Sequence, residues 1–218
     1  MNWDAPTQAY KHVEDGLKVV DNLMGFAKAG QGKPNAKERA LFAASVVFCY
    51  GIWENYVEQL GLELVSAVAK DVAPHKVPPK IKKELSGRSA WEISVSPGWR
   101  DLWVEVVKKT AVGNDQDRFG INTMRAGAAT HVLELAGIEN ALGGIPDEIS
   151  PDHLPQAKQT VEGAVDALVT LRGLIVHTGK VPDALVKGHV TAWRDFVHAV
   201  TTCLDKECRI KCTALLAP

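Results

Sequence analysis

The longest helical pattern in this chain, residues 36–70, decides most of what the chain can fold into. Its central run, L-F-A-A-S-V-V-F-C-Y-G-I-W-E-N-Y-V-E-Q-L-G-L-E-L-V, holds no proline, and its apolar residues cover nearly every side of a helix. Such a helix has to be enclosed by other elements rather than laid on a surface, so it is expected at the centre of a bundle. Asn35 stands where an N-cap is needed, behind the A-G-Q-G-K-P-N break. Glu54 and Asn55 interrupt the apolar run. Glu54 suits either a solvated edge or a buried counter-charge.

The rest of the chain supplies the enclosing helices. From about Thr7 to Ala29, Val13, Leu17, Val20 and Met24 share one side. V-A-P-H-K-V-P-P-K is a proline-rich break, and K-I-K-K-E-L-S-G-R-S reads as a short helix with a basic face, either solvated or in contact with RNA. Ser96-Pro97-Gly98 starts a helix whose apolar side holds Trp99, Leu102, Trp103, Val106 and Val107, tryptophans that suit a core better than a base-stacking platform. Beyond the polar loop A-V-G-N-D-Q-D-R-F-G, Asn122 is a candidate cap for T-M-R-A-G-A-A-T-H-V-L-E-L-A-G-I. The next helix opens after Ser150-Pro151 and Pro155 and stops at Gly179 and Pro182. The last, about Ala184 to Leu215, turns Val190, Trp193, Phe196, Val197, Val200 and Leu204 inward. No alternating strand, internal repeat or linker interrupts this order. The expectation is a single all-α domain over residues 1–218, a bundle of five or more helices with its core over about 36–210 and the 7–29 helix packed on it.

Composition narrows the function classes. An apolar share of 46% fills a core, and a formal net charge of -1 excludes a protein that coats nucleic acid through overall charge, though not one with a local basic cleft. No apolar run is read as a membrane span, and M-N-W-D-A-P lacks the basic-then-apolar form of a secretory leader, so a soluble cytoplasmic protein without a membrane partner is expected. Cys49, Cys203, Cys208 and Cys212 lack zinc-site spacing and read as reduced thiols; no metal or other cofactor is expected. Phosphate-loop, serine-hydrolase and zinc-protease motifs are absent from the sequence.

One side chain stands out against this background. Val161, Ala164, Val165, Leu168, Arg172, Ile175 and Val176 form a single helical stripe that includes a guanidinium. A permanent charge on an apolar face needs a counter-charge, a solvated edge or a ligand, and Glu54 is a candidate counter-charge. His177 follows in the last turn, where the helix dipole favours a cation. On an ideal helix the two lie about 140° apart, and His177 shares its side with the small residues Gly163, Thr170 and Gly173.

Three passages together resemble the HEPN superfamily of α-helical RNA-cleaving and nucleotide-binding domains, in particular the RiboL-PSP-type HEPN domains of prokaryotic conflict systems. They are A-A-S-V-V-F-C-Y-G-I-W-E-N-Y-V-E-Q-L, then F-G-I-N-T-M-R with L-E-L-A-G-I, and finally R-G-L-I-V-H-T-G. The last is similar to the family's arginine–histidine motif, with four residues between Arg172 and His177. The resemblance implies a homodimer in which Arg172 and His177 of two protomers form a metal-independent endoribonuclease site, with Glu54 and Asn55 as supporting residues. RNA is then the substrate, the role a toxin or defence effector, and a cognate antitoxin a possible partner. Arg125 and His131 form a rival pair of the same pattern. Gly173 stands where family members often carry Asn, Asp or His, and Gly179 where one toxin branch has a tyrosine. The alternative is a non-catalytic helical module that binds nucleotides, RNA or protein.

Overall fold

A computed structural model describes residues 3–28, 33–89, 98–113, 120, 121 and 123–217. Among them there are seven α-helices and no strand: α1 (Gln8–Gly25), α2 (Ala36–Asp71), α3 (Pro79–Ser86), α4 (Trp99–Ala111), α5 (Ala126–Leu135), α6 (Val161–Thr178) and α7 (Lys187–Leu216). The chain is an all-α bundle, as its periodicity requires.

The apolar circumference of α2 is used as expected. The helix packs against α1, α4, α5, α6 and α7, and Val46, Trp53, Val57, Leu60, Leu64 and Val68 are buried along it. Asn35 starts it with a capping box: its side chain accepts from the Lys37 and Glu38 N–H groups, and Glu38 accepts from the Asn35 N–H. Gly61 lets α5 come close, since a β-carbon there would stand 2.6 Å from a Val132 methyl. Large buried polar rings find partners inside the bundle. Trp103 donates to the Leu135 carbonyl at 2.6 Å and Tyr56 to the Thr201 carbonyl at 3.1 Å.

The N-terminal helix is tied to the C-terminal one by hydrogen bonding as well as packing. Thr7, the N-cap of α1, donates its hydroxyl to buried Asp205 on α7, and Arg209 reaches the same carboxylate at 2.9 Å. That carboxylate is both hydrogen-bonded and paired, the condition for burying it. Cys49, Cys208 and Cys212 are buried, and burial pushes the Cys49 and Cys212 thiols up to about 12. These thiols stay protonated and unreactive.

Several boundaries differ from the sequence reading. The helix expected to open after Pro155 begins only at Val161, because residues 151–160 form turns and a short 3₁₀ segment, and Thr160 takes the capping role with Gly163 as its donor. The first helix ends at Gly25 and the last begins at Lys187. Ser96, Pro97 and Asn122 fall outside the described residues; α4 begins at Trp99, and Arg125 occupies the N-cap position of α5. One helix among those described, α2, proves long and apolar enough to cross a membrane by length and composition, against the reading of the sequence. Half of its most apolar window is buried in the bundle, and its central place rests on its packing against five other helices.

Candidate functional site

The stripe of α6 that carries Arg172 faces inward. Val161, Ala164, Val165, Leu168 and Ile175 are buried on it, and Arg172 is half-buried among them at the seam with α2. The expected counter-charge is not what holds it. No carboxylate lies within 4 Å of the Arg172 guanidinium among the described residues, and Glu54 instead accepts a hydrogen bond from the Tyr50 hydroxyl. The guanidinium carbon sits 4.9 Å from the centre of the Tyr50 ring, a cation–π contact that holds the charge without neutralising it. Arg172 Nε is buried and makes no hydrogen bond. Burial and the bond to Glu54 push the Tyr50 phenol up to about 12, so it remains a donor.

Tyr50 also accepts from the Met124 N–H at 3.1 Å, while Trp53 donates to the Met124 carbonyl at 2.8 Å. Both polar groups of Met124 are thereby pinned to α2 just ahead of α5. Asp166 of α6 then accepts from the Ala126 N–H at 3.0 Å, filling the capping role that Arg125 cannot, and lies 3.9 Å from the Arg125 guanidinium. Tyr50, Glu54, Met124, Asp166 and Arg172 thus join α2, α5 and α6 at one junction. Glu58, one turn beyond Glu54, is half-buried at the same edge of α2; burial first, and then the Glu54 charge, raise its carboxyl to about 7.

His177 lies on the other side of α6. It is exposed in the last turn, and Gly173, one turn earlier, keeps the surface beside it open: a β-carbon on Gly173 would only just touch the imidazole, at 4.0 Å. Gly179 ends the helix in the left-handed region at φ 66°, with its N–H on the Ile175 carbonyl. Leu174 and Val176, near His177 on the surface, are 41% and 48% exposed, so Val176, read from the sequence as part of the inward stripe, faces solvent instead. Within one chain, then, Arg172 looks into the α2–α6 seam and His177 looks out, as the ideal 140° separation requires.

The rival pair is divided as well. Arg125 is exposed beside Asp166, whereas His131 is exposed on the far side of α5, where it lines a cleft against α3 and α4. Asn55 is exposed in a shallow groove between α1 and α2, bordered by Phe48 and Ile52, away from the Arg172 seam. No cluster of three or more metal-ligating side chains is present among the described residues. Sequence reasoning missed Tyr50 and Glu58. The available signal was their spacing: Tyr50, Glu54 and Glu58 recur every four residues and so share one side of the helix. No family model, curated protein or solved structure matches this chain.

Proposed function

We propose that this chain is a metal-independent endoribonuclease of the HEPN type, a toxin or defence effector that works as a homodimer paired through α6. The observation that carries this reading is the state of Arg172: a guanidinium steadied by the Tyr50 ring, unpaired with any carboxylate within 4 Å among the described residues, and with a buried Nε still unsatisfied. A cation oriented without being neutralised is available to an anion, as stabilisation of a phosphorane's charge demands. His177, exposed above Gly173 and near Leu174 and Val176, supports pairing through the end of α6, because the small residue lets a second copy approach and the apolar ones gain by being covered.

In this mechanism one His177 accepts the proton of the ribose 2′-hydroxyl as its oxygen attacks the adjacent phosphorus. His177 of the partner subunit delivers a proton to the departing 5′-oxygen, and the products are a 2′,3′-cyclic phosphate and a free 5′-hydroxyl. Positioned acid–base groups of this kind contribute on the order of a hundredfold or more in rate. The second reading is a non-catalytic module that binds RNA, nucleotide or protein; what favours it is the division of Arg172 and His177 between opposite sides of α6. Total RNA incubated with the pure protein in EDTA separates the two. Fragments ending in 2′,3′-cyclic phosphate are expected, and intact RNA that is nonetheless retained by the protein supports the second reading.

A further inference from the structure

On the side of the bundle away from the α2–α6 seam, α3, α4, α5 and residues 120 and 121 enclose a cleft of about 690 Å³. That volume falls in the range of small-ligand sites, about 300–1,000 Å³. Its lining holds four cations, Lys80, Lys83, Arg88 and Lys109, against two carboxylates, Glu84 and Glu105. This excess is local, since the whole chain carries a formal net charge of -1.

The internal pairing of those cations is incomplete. Lys80 is engaged by Glu134 at the edge of the cleft. Among the described residues Arg88 pairs with Glu105 alone, at 3.9 Å, a loose pair in which Glu105 is 64% exposed, so its worth is small and an entering anion can displace it. Among the described residues the Lys83 and Lys109 ammonium groups have no ion-pair or hydrogen-bond partner, and they reach the cleft from different helices, α3 and α4. Val106, Ile121 and Leu135 give the same cleft apolar wall. Cations converging from separate elements over an apolar wall suit a ligand that has both phosphates and an apolar or aromatic part.

We infer that this cleft is a phosphate-binding site, separate from Arg172 and His177, in which Lys83, Lys109 and Arg88 hold the phosphates of a nucleotide or of a single-stranded RNA. The two sources share the same recognition chemistry and differ in how affinity responds to salt. A strand releases condensed counterions, so each phosphate contact contributes about 0.7 to the slope of log affinity against log salt; a nucleotide lacks that condensed atmosphere.

The test uses the full-length protein with three probes: ATP, inorganic triphosphate and a fluorescent single-stranded RNA whose ribose 2′-hydroxyls are methylated to prevent cleavage. Binding is measured in EDTA between 50 and 200 mM salt, for the wild type, Lys83→Glu/Lys109→Glu and the milder Lys83→Gln/Lys109→Gln. Lys11→Glu/Lys206→Glu, on exposed faces of α1 and α7, is the charge-reversal control. At least one probe is expected to bind the wild type and the control, and to bind the Lys83/Lys109 reversal at least tenfold more weakly. If RNA is the ligand, the glutamine variant lowers the salt slope by about 1.4, two contacts' worth. If a nucleotide is the ligand, ATP binds and displaces any RNA. Failure of all three probes to bind, or equal binding by wild type and both Lys83/Lys109 variants, overturns the inference. Because cleavage plays no part in the readout, either result leaves the nuclease reading to its own test.

Discussion

At the scale of single residues, the junction at Tyr50 replaces a simple ion pair with a relay. A direct Glu54–Arg172 pair would neutralise the arginine; with Tyr50 between them, Glu54 fixes the ring and the ring fixes the guanidinium. The neighbouring Glu58 gives this region a pH signature. Its carboxyl is raised to about 7 from 4.5, so between those values the folded chain binds more protons than the unfolded one. The associated stability is fully present below about 4.5 and is lost as pH rises through about 7. Glu58→Gln should therefore raise the melting temperature at pH 8 by about 2 °C and change it little at pH 4.5, a modest effect because the group is half-exposed. Thermal melts of both proteins across that range check it; a variant less stable at pH 8 contradicts the assignment. That Arg172 faces inward was legible from its spacing in the α6 stripe. Tyr50 was not, because an aromatic within an apolar run looks like core until its hydroxyl's partners, Glu54 and the Met124 amide, are seen.

At the scale of elements, the sequence revealed most where periodicity was strong and least where a contact distant in sequence does the work. The α2 pattern and its Asn35 cap emerge as read. The start of α6 does not, because Val161 is fixed by Asp147, whose carboxylate accepts its N–H at 2.9 Å from fourteen residues away. The turn segment before α6 is held to α7 by a second feature no pattern announces. His153 stacks on His189 with ring centres 4.3 Å apart and meets Trp193 edge-on. Burial, then the neighbouring His189, lowers the His153 pKa, an effect Asp152 opposes. Its neutral form is thus favoured in the folded chain. The stability this confers is present above about 6.5, the unfolded value, and is lost as pH falls through the lowered one. His153→Gln should flatten the fall in melting temperature between pH 7 and pH 5 by about 1–2 °C. An unchanged profile would mean the stack carries no linkage. Glu58 and His153 act in opposite senses, so the single variants are needed to separate them.

For the whole molecule, the nuclease proposal joins an arginine held un-neutralised by the Tyr50 ring to a histidine on the surface, and only a second copy can bring the two kinds of group to one site. A single copy offers His177 to solvent beside exposed Leu174 and Val176, and the proposed dimer gives that face its purpose. The measurement that tests this most directly compares RNA cleavage in EDTA by wild type, His177→Ala, His131→Ala and the surface control His75→Ala, with sedimentation run on each. His177 is exposed at a helix end, so its removal leaves the core intact. The account predicts that His177→Ala sediments as the wild-type dimer and cleaves at least a hundredfold more slowly, in line with the loss of a positioned acid–base group, while His75→Ala cleaves normally. Undiminished cleavage by His177→Ala, whether or not His131→Ala is silenced, would contradict it.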